Sequence, residues 1–299
     1  MKGDNISFRY TLKNVRIVLK YGGCALIILF LGIRPFIFDQ FIIPSISMYP
    51  TLQPGDYVLV NKMIIGPRLY TKFDFTKPIA HFNSVRLRGY RKIQPNDILI
   101  FNMPYDDDHN TGINFLINRD FCKRCLGTPG DNIGCNKGIY YNNSYNDKSF
   151  GNLQNQRSLA KKNIDNIPNY IKKVFPKDTH FNWNIKDFGP LYVPRKGDLI
   201  RITPYEATLY KHIIEWEQGK KIKIDWKHNN VFIEKYNLKK YRFTHDYYFM
   251  VGDNIENSID SRYWGFVPEE FIIGVVSRIT YSKVPTTHGI KWNRLWKEI

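Results

Sequence analysis

The pattern of apolar and polar positions divides the chain. From Tyr21 to Ile33 no charged residue occurs, and beyond Phe38 the apolar residues gather into short runs separated by turn formers. The first run is shorter than the roughly 20 residues that a membrane-spanning helix needs. If Lys20 and Arg34 extend their charged heads toward the two interfaces, however, the span grows to 17–38, which is long enough. One N-terminal transmembrane helix is therefore predicted. A removable targeting segment is the alternative, since a basic start and a short apolar run also suit one, but Arg34-Pro35-Phe36 are not the small residues its cleavage would need.

Past the anchor, turn residues introduce short β-type runs. Pro54-Gly55-Asp56 precedes Tyr57–Val60, Pro95-Asn96-Asp97 precedes Ile98–Phe101, and Lys196-Gly197-Asp198 precedes Leu199–Ile202. The body reads as mainly β, and the echo among these turns reflects shared turn chemistry rather than a repeat. One helix is signalled by N-cap Thr203, Pro204 at its first position, Glu206 at its third and the stop Gly219, with Ala207, Tyr210, Ile213, Ile214 and Trp216 as its packing stripe. Between Gly138 and Lys173 apolar residues are sparse, which predicts a poorly packed excursion. The expected divisions are 1–16 (N-terminus), 17–38 (anchor), 39–133 (first part of the body), 134–240 (a less regular insertion with at least one helix) and 241–299 (second part and tail).

Charge adds direction. Lys2, Arg9, Lys13, Arg16 and Lys20 precede the anchor, so the positive-inside rule places the N-terminus in the cytoplasm and the body outside. The formal net charge of +17 implies attraction to polyanions, either nucleic acid or an anionic bilayer. Four cysteines, Cys24, Cys122, Cys125 and Cys135, are too few and too unevenly spaced for a disulfide scaffold.

Two segments carry candidate chemistry. Pro44-Ser45-Ile46-Ser47-Met48-Tyr49-Pro50-Thr51-Leu52 is a serine-rich turn bracketed by prolines. Alone it is a turn, since a lone serine is rarely a nucleophile. Asp120 through Asp131 reads as a strand that ends in the turn Pro129-Gly130, with Lys123 on the same face as Phe121 and Cys125. A lysine buried there would lose its charge more easily and become a usable base, whereas one whose ammonium reaches water would not. A neutral amine can take the proton of an attacking serine hydroxyl and return it to the leaving amine. Cys122 and Cys125, three apart on a strand, point to opposite faces with Cα atoms roughly 10 Å apart. A bridge between them is not expected.

Ser45 through Leu52 resembles the nucleophile motif of the signal peptidase I family, and Cys122-Lys123-Arg124 through Pro129-Gly130-Asp131 resembles its lysine motif. Tyr248 through Asn254, Asn257-Ser258 and Asp260 through Gly265 resemble a third, in the same order. The resemblance implies a mostly antiparallel β catalytic body with Ser47 as nucleophile, Lys123 as general base, Ser45 as oxyanion donor and Ser258 as the hydroxyl that orients the lysine. Asp253, Asp260 and Arg262 would be structural support. Ile43, Pro44, Met48, Leu52, Phe121 and Cys122 would line shallow pockets for the small residues before the cut. The implied substrates are signal-peptide-bearing precursors and the implied setting is the inner membrane, with phospholipids as partners, no nucleic acid, no metal and no cofactor. This sequence departs from the family pattern at Ile46, where glycine is usual, and at Ile255-Glu256, where Arg-Asp is usual.

Other chemistry is weaker. His245 with Asp246 or Asp253 could serve a Ser-His-Asp hydrolase, but no G-x-S-x-G elbow is present. Cys122-x-x-Cys125 lacks the second pair of a zinc site. A tethered polyanion-binding protein would use the lysines on phosphates without cleaving peptides. A self-cleaving repressor-type protease would need no anchor.

Overall fold

In a computed structural model of the protein, the described residues are 14, 17, 20–72, 83–105, 112–115, 119–145, 148–284, 286–287 and 289–299. The expected cytoplasmic N-terminus, apart from Asn14, lies outside the described residues, as do residues 18 and 19 of the expected anchor. Residues 20–27 are α-helical, Ile28–Ile33 continue as a π-helix and Arg34–Phe36 form a last helical turn. Leu26, Ile27, Ile28, Phe30 and Leu31 along it are exposed. Among the described residues no helix is long and apolar enough to cross a membrane.

Beyond this segment the fold is mainly antiparallel β with a few helices. Its main sheet contains β1 (Phe38–Ile42), β2 (Asp56–Asn61), β3 (Ile98–Asn102), β4 (Asp120–Gly127), β5 (Tyr247–Val251), β6 (Val267–Pro268), β7 (Ile272–Ser282) and β8 (Lys297–Glu298). The spatial order is β1-β2-β7-β3-β4-β5-β6, with β8 added on β7, and every pairing is antiparallel. Both faces of β3 are covered, which is why its five residues are all buried instead of alternating. Leu99 and Phe101 enter the larger core cluster, while Ile98 and Ile100 enter a smaller one with Ile43, Met48, Leu52, Val58, Val60, Val276 and Ile279.

The turns share a device. In Gln53-Pro54-Gly55-Asp56, Gln94-Pro95-Asn96-Asp97 and Thr128-Pro129-Gly130-Asp131, the aspartate accepts a hydrogen bond from the backbone N–H three residues earlier, at 2.7, 2.9 and 2.8 Å. The third position lies at positive φ in each, +91° for Gly55, 77° for Asn96 and +96° for Gly130. Glycine and asparagine reach that conformation with least strain.

Helix α1 spans Leu153–Lys161 and α2 spans Pro204–Gln218. In α2 the capping box of Thr203 and Glu206 is formed, Gly219 ends the helix at φ 62°, and the expected packing stripe, Ala207 to Trp216, is buried. The expectation of poor packing for 138–173 is corrected: Tyr140, Phe150, Leu159, Ile167 and Ile171 are all buried in the larger cluster. The segment is sparse in apolar residues because polar ones serve as its internal scaffold. Buried Gln156 accepts from Tyr140 N at 2.8 Å, and buried Asn142 donates to Leu126 O at 3.0 Å and to Asp131 at 2.9 Å. Satisfied in this way, buried amides avoid most of their desolvation cost.

Candidate active site

The serine turn is fastened from below and from the side. Met48 and Leu52 are 0% exposed and anchor it in the smaller cluster. Asn254 donates its backbone N–H to Ser47 O at 3.0 Å and its side-chain amide to Ile46 O at 3.1 Å. Ser47 thus sits buried where the turn meets the end of β5. Gly252 permits that approach, because a Cβ there would lie 2.1 Å from Ser258 Oγ and 2.6 Å from Ser47 O.

From β4, Lys123 reaches the same point. Its Nζ donates to Ser47 Oγ at 2.7 Å, and the residue is 4% exposed. Burial lowers its pKa below the ordinary lysine value, with Asp260 opposing that shift and the Arg262 charge adding to it. Ser45 Oγ lies 3.3 Å from Ser47 Oγ. The Ser258 hydroxyl, also buried, donates to Asp260 Oδ2 at 2.7 Å.

Two ion pairs, one fully and one partly buried, flank this centre. Arg262 holds Asp260 through Nε and Nη2, both at 2.7 Å, and Asp260 also accepts from Gly252 N at 2.8 Å. Arg124, next to Lys123 in sequence, holds Asp253 through Nε at 2.7 Å and Nη2 at 2.6 Å, and Thr51 also donates to Asp253. The second pair ties the lysine strand to the serine turn and to the end of β5. Asn155 of α1 adds a tie by donating to Asp253 O at 2.7 Å and to Tyr49 O at 3.2 Å.

The expected pocket residues do not form one open wall. Ile43, Met48 and Leu52 are buried in the smaller cluster with Cys122 packed against it, Phe121 packs on the larger cluster, and Pro44 is exposed. Cys122 and Cys125 are free thiols that pack against different clusters, as opposite faces of a strand require. Burial pushes the Cys122 thiol up to about 12, so it is un-ionised at neutral pH. Sequence reasoning missed the parts played by Arg124, Thr51, Asn155, Gly252 and Asn254. Thr51, Arg124, Gly252 and Asn254 stood inside recognised motifs, but nothing distinguished Asn155 among its many asparagine neighbours.

A family model described as signal peptidase, peptidase S26, matches residues 17–281. The chain belongs to that family. The signal peptidase I of Buchnera aphidicola from Acyrthosiphon pisum is 32% identical over 283 residues, which covers 88% of this chain and 76% of that protein. The signal peptidase I of Aquifex aeolicus is 28% identical, covering 87% and 83%, and that of Pseudomonas aeruginosa is 27% identical, covering 86% and 70%. The peptidase family match spans the serine turn, the lysine strand and the 252–262 segment together.

Proposed function

We propose that this peptidase is a membrane-tethered serine endopeptidase that removes signal peptides from exported precursors, with Ser47 as nucleophile and Lys123 as general base. The observation that carries the reading is the 2.7 Å contact between Lys123 Nζ and Ser47 Oγ inside a buried setting that favours the neutral amine. In the neutral form Lys123 accepts the Ser47 proton as Oγ attacks the scissile carbonyl, then passes it to the departing amine. Water hydrolyses the acyl-enzyme by the same base. Ser45, 3.3 Å from Ser47 Oγ, is the proposed donor to the oxyanion. Ser258 fixes the neighbourhood of the lysine through its bond to Asp260.

The preceding residues Ile43 and Pro44, with Phe121 and Cys122 on β4, are proposed to receive the small side chains before the cut, and Met48 and Leu52 to form the floor beneath. The exposed apolar helix before β1 supports the tether, a single pass through the inner membrane with the body outside. We retain the division into two catalytic segments, 39–133 and 241–299, around 134–240. The test is incubation of the detergent-solubilised full chain with a signal-peptide-bearing precursor. Wild type should cleave it, and Ser47→Ala, Lys123→Ala and the double variant should each lose activity by a similar factor, because the two groups act as one unit. Substantial cleavage by either single variant refutes the assignment.

A further inference from the structure

A groove of about 500 Å³ opens beside the reaction centre, walled by Ile46, Ser258, Ile259, Tyr170, Tyr263 and Lys177 among others. It touches the centre twice, through Ile46 next to Ser47 in the chain and through Ser258, whose hydroxyl is bound to Asp260. None of Ile43, Pro44, Met48, Leu52, Phe121 or Cys122 lines it, so it is separate from the residues assigned to the segment before the cut. Its apolar walls are open to solvent. Ile46 is 49% exposed, Ile259 58% and Tyr170 79%, while the Lys177 ammonium lies 6.0 Å from the Tyr263 ring centre. Exposed apolar side chains that converge on a cavity are the usual makings of a binding site.

The occupant follows from chain continuity. An extended peptide advances about 3.3 Å per residue, so the first residues after the scissile bond stay within about 10 Å of Ser47. With one flank of the serine assigned to the residues before the cut, the continuing chain must leave along the other. We infer that this groove is a specificity subsite for apolar side chains on the first two residues after the cut, so that the enzyme reads the start of the mature protein as well as the signal peptide. The inference rests on the proposed peptidase activity. Ile46, in the place where the family usually has glycine, supplies one wall of it.

Two synthetic peptides identical up to the cut, one continuing with Leu-Leu and one with Gly-Gly, test the inference on the solubilised full chain. Wild type should favour the Leu-Leu peptide by about 10-fold in kcat/KM, the scale on which apolar fit discriminates. The double variant Tyr170→Ala, Ile259→Ser should bring that ratio close to one, while Tyr170→Phe, which keeps the ring, should retain it. Thermal melting verifies that each variant is folded. Equal cleavage of the two peptides by wild type, or a ratio untouched in the folded double variant, overturns the subsite and leaves the Ser47 and Lys123 roles standing. Absence of any Ser47-dependent cleavage overturns both.

Discussion

Lys123 and Arg262 are neighbouring cations in the same interior, 4% and 1% exposed, yet their surroundings treat them in opposite ways. Arg262 is given a carboxylate on two contacts of 2.7 Å and the carbonyl oxygens of Ile255 and Ser258 besides. Burial works against its charge, but Asp260 prevails and its pKa rises. Lys123 faces a hydroxyl instead of a carboxylate, and burial wins. A buried cation is thus a structural group when paired and a potential base when left with a neutral partner. The fold places Asp260 on the arginine, so Lys123 is left with the Ser47 hydroxyl and a lowered pKa.

The largest effect should come from removing the amine. Lys123→Met should lower precursor cleavage by about 10³-fold or more, equivalent to about 4 kcal/mol of transition-state stabilisation. The same change should raise stability by on the order of 1 kcal/mol, since a long apolar side chain replaces a group that burial disfavours. Thermal unfolding and a cleavage assay read both, and a melting point that falls would argue that Lys123 is paired more favourably than its surroundings imply. Asp260→Asn should act the other way, costing about 3–5 kcal/mol because it strands the Arg262 charge in the interior. Denaturant titration measures it, and a cost near zero would mean that Arg262 finds another partner.

Ser258→Ala should be milder, about 10-fold in kcat with KM little changed, because the hydroxyl holds the setting of the base without reacting. A variant as inactive as Ser47→Ala would give Ser258 a direct role. The finest test is pH. Activity should be low where Lys123 is protonated and rise with pH through its lowered pKa, reaching its plateau below the ordinary lysine value of 10.5. Stability carries the same sign: between the folded and unfolded values the unfolded chain binds more protons at Lys123, so that contribution grows as pH rises. A rate that is flat from mildly acidic to alkaline pH, or one abolished by a chelator, would separate Lys123 from the reaction.

Much of this was legible wherever chemistry is local in the chain. Turn residues announced the β body, Thr203, Pro204, Glu206 and Gly219 bounded α2, and the three motifs pointed to the segments that meet at Ser47. Long-range pairing was less legible. The Arg124–Asp253 pair joins residues 129 apart, and Asn155 reaches Tyr49 across 106, so neither leaves a periodic trace. Packing of 138–173 was misjudged for a related reason. Tyr140, Phe150, Leu159, Ile167 and Ile171 are all buried, and polar residues between them are bonded inside the protein. Burial in such a segment depends on partners, which composition does not reveal.

The clamp of Asn254 on the Ile46 and Ser47 carbonyls has a temporal meaning. Ser47 and Lys123 leave the ribosome early, but the residues that hold the turn in place and supply Asp260 to Arg262 come more than 200 positions after Ser47. A growing chain therefore carries Ser47 and Lys123 long before it holds the residues that fasten the turn. The turn can be held in this geometry only once residues 254–262 have joined the chain, so the clamp sets the order in which the parts of the site can come together.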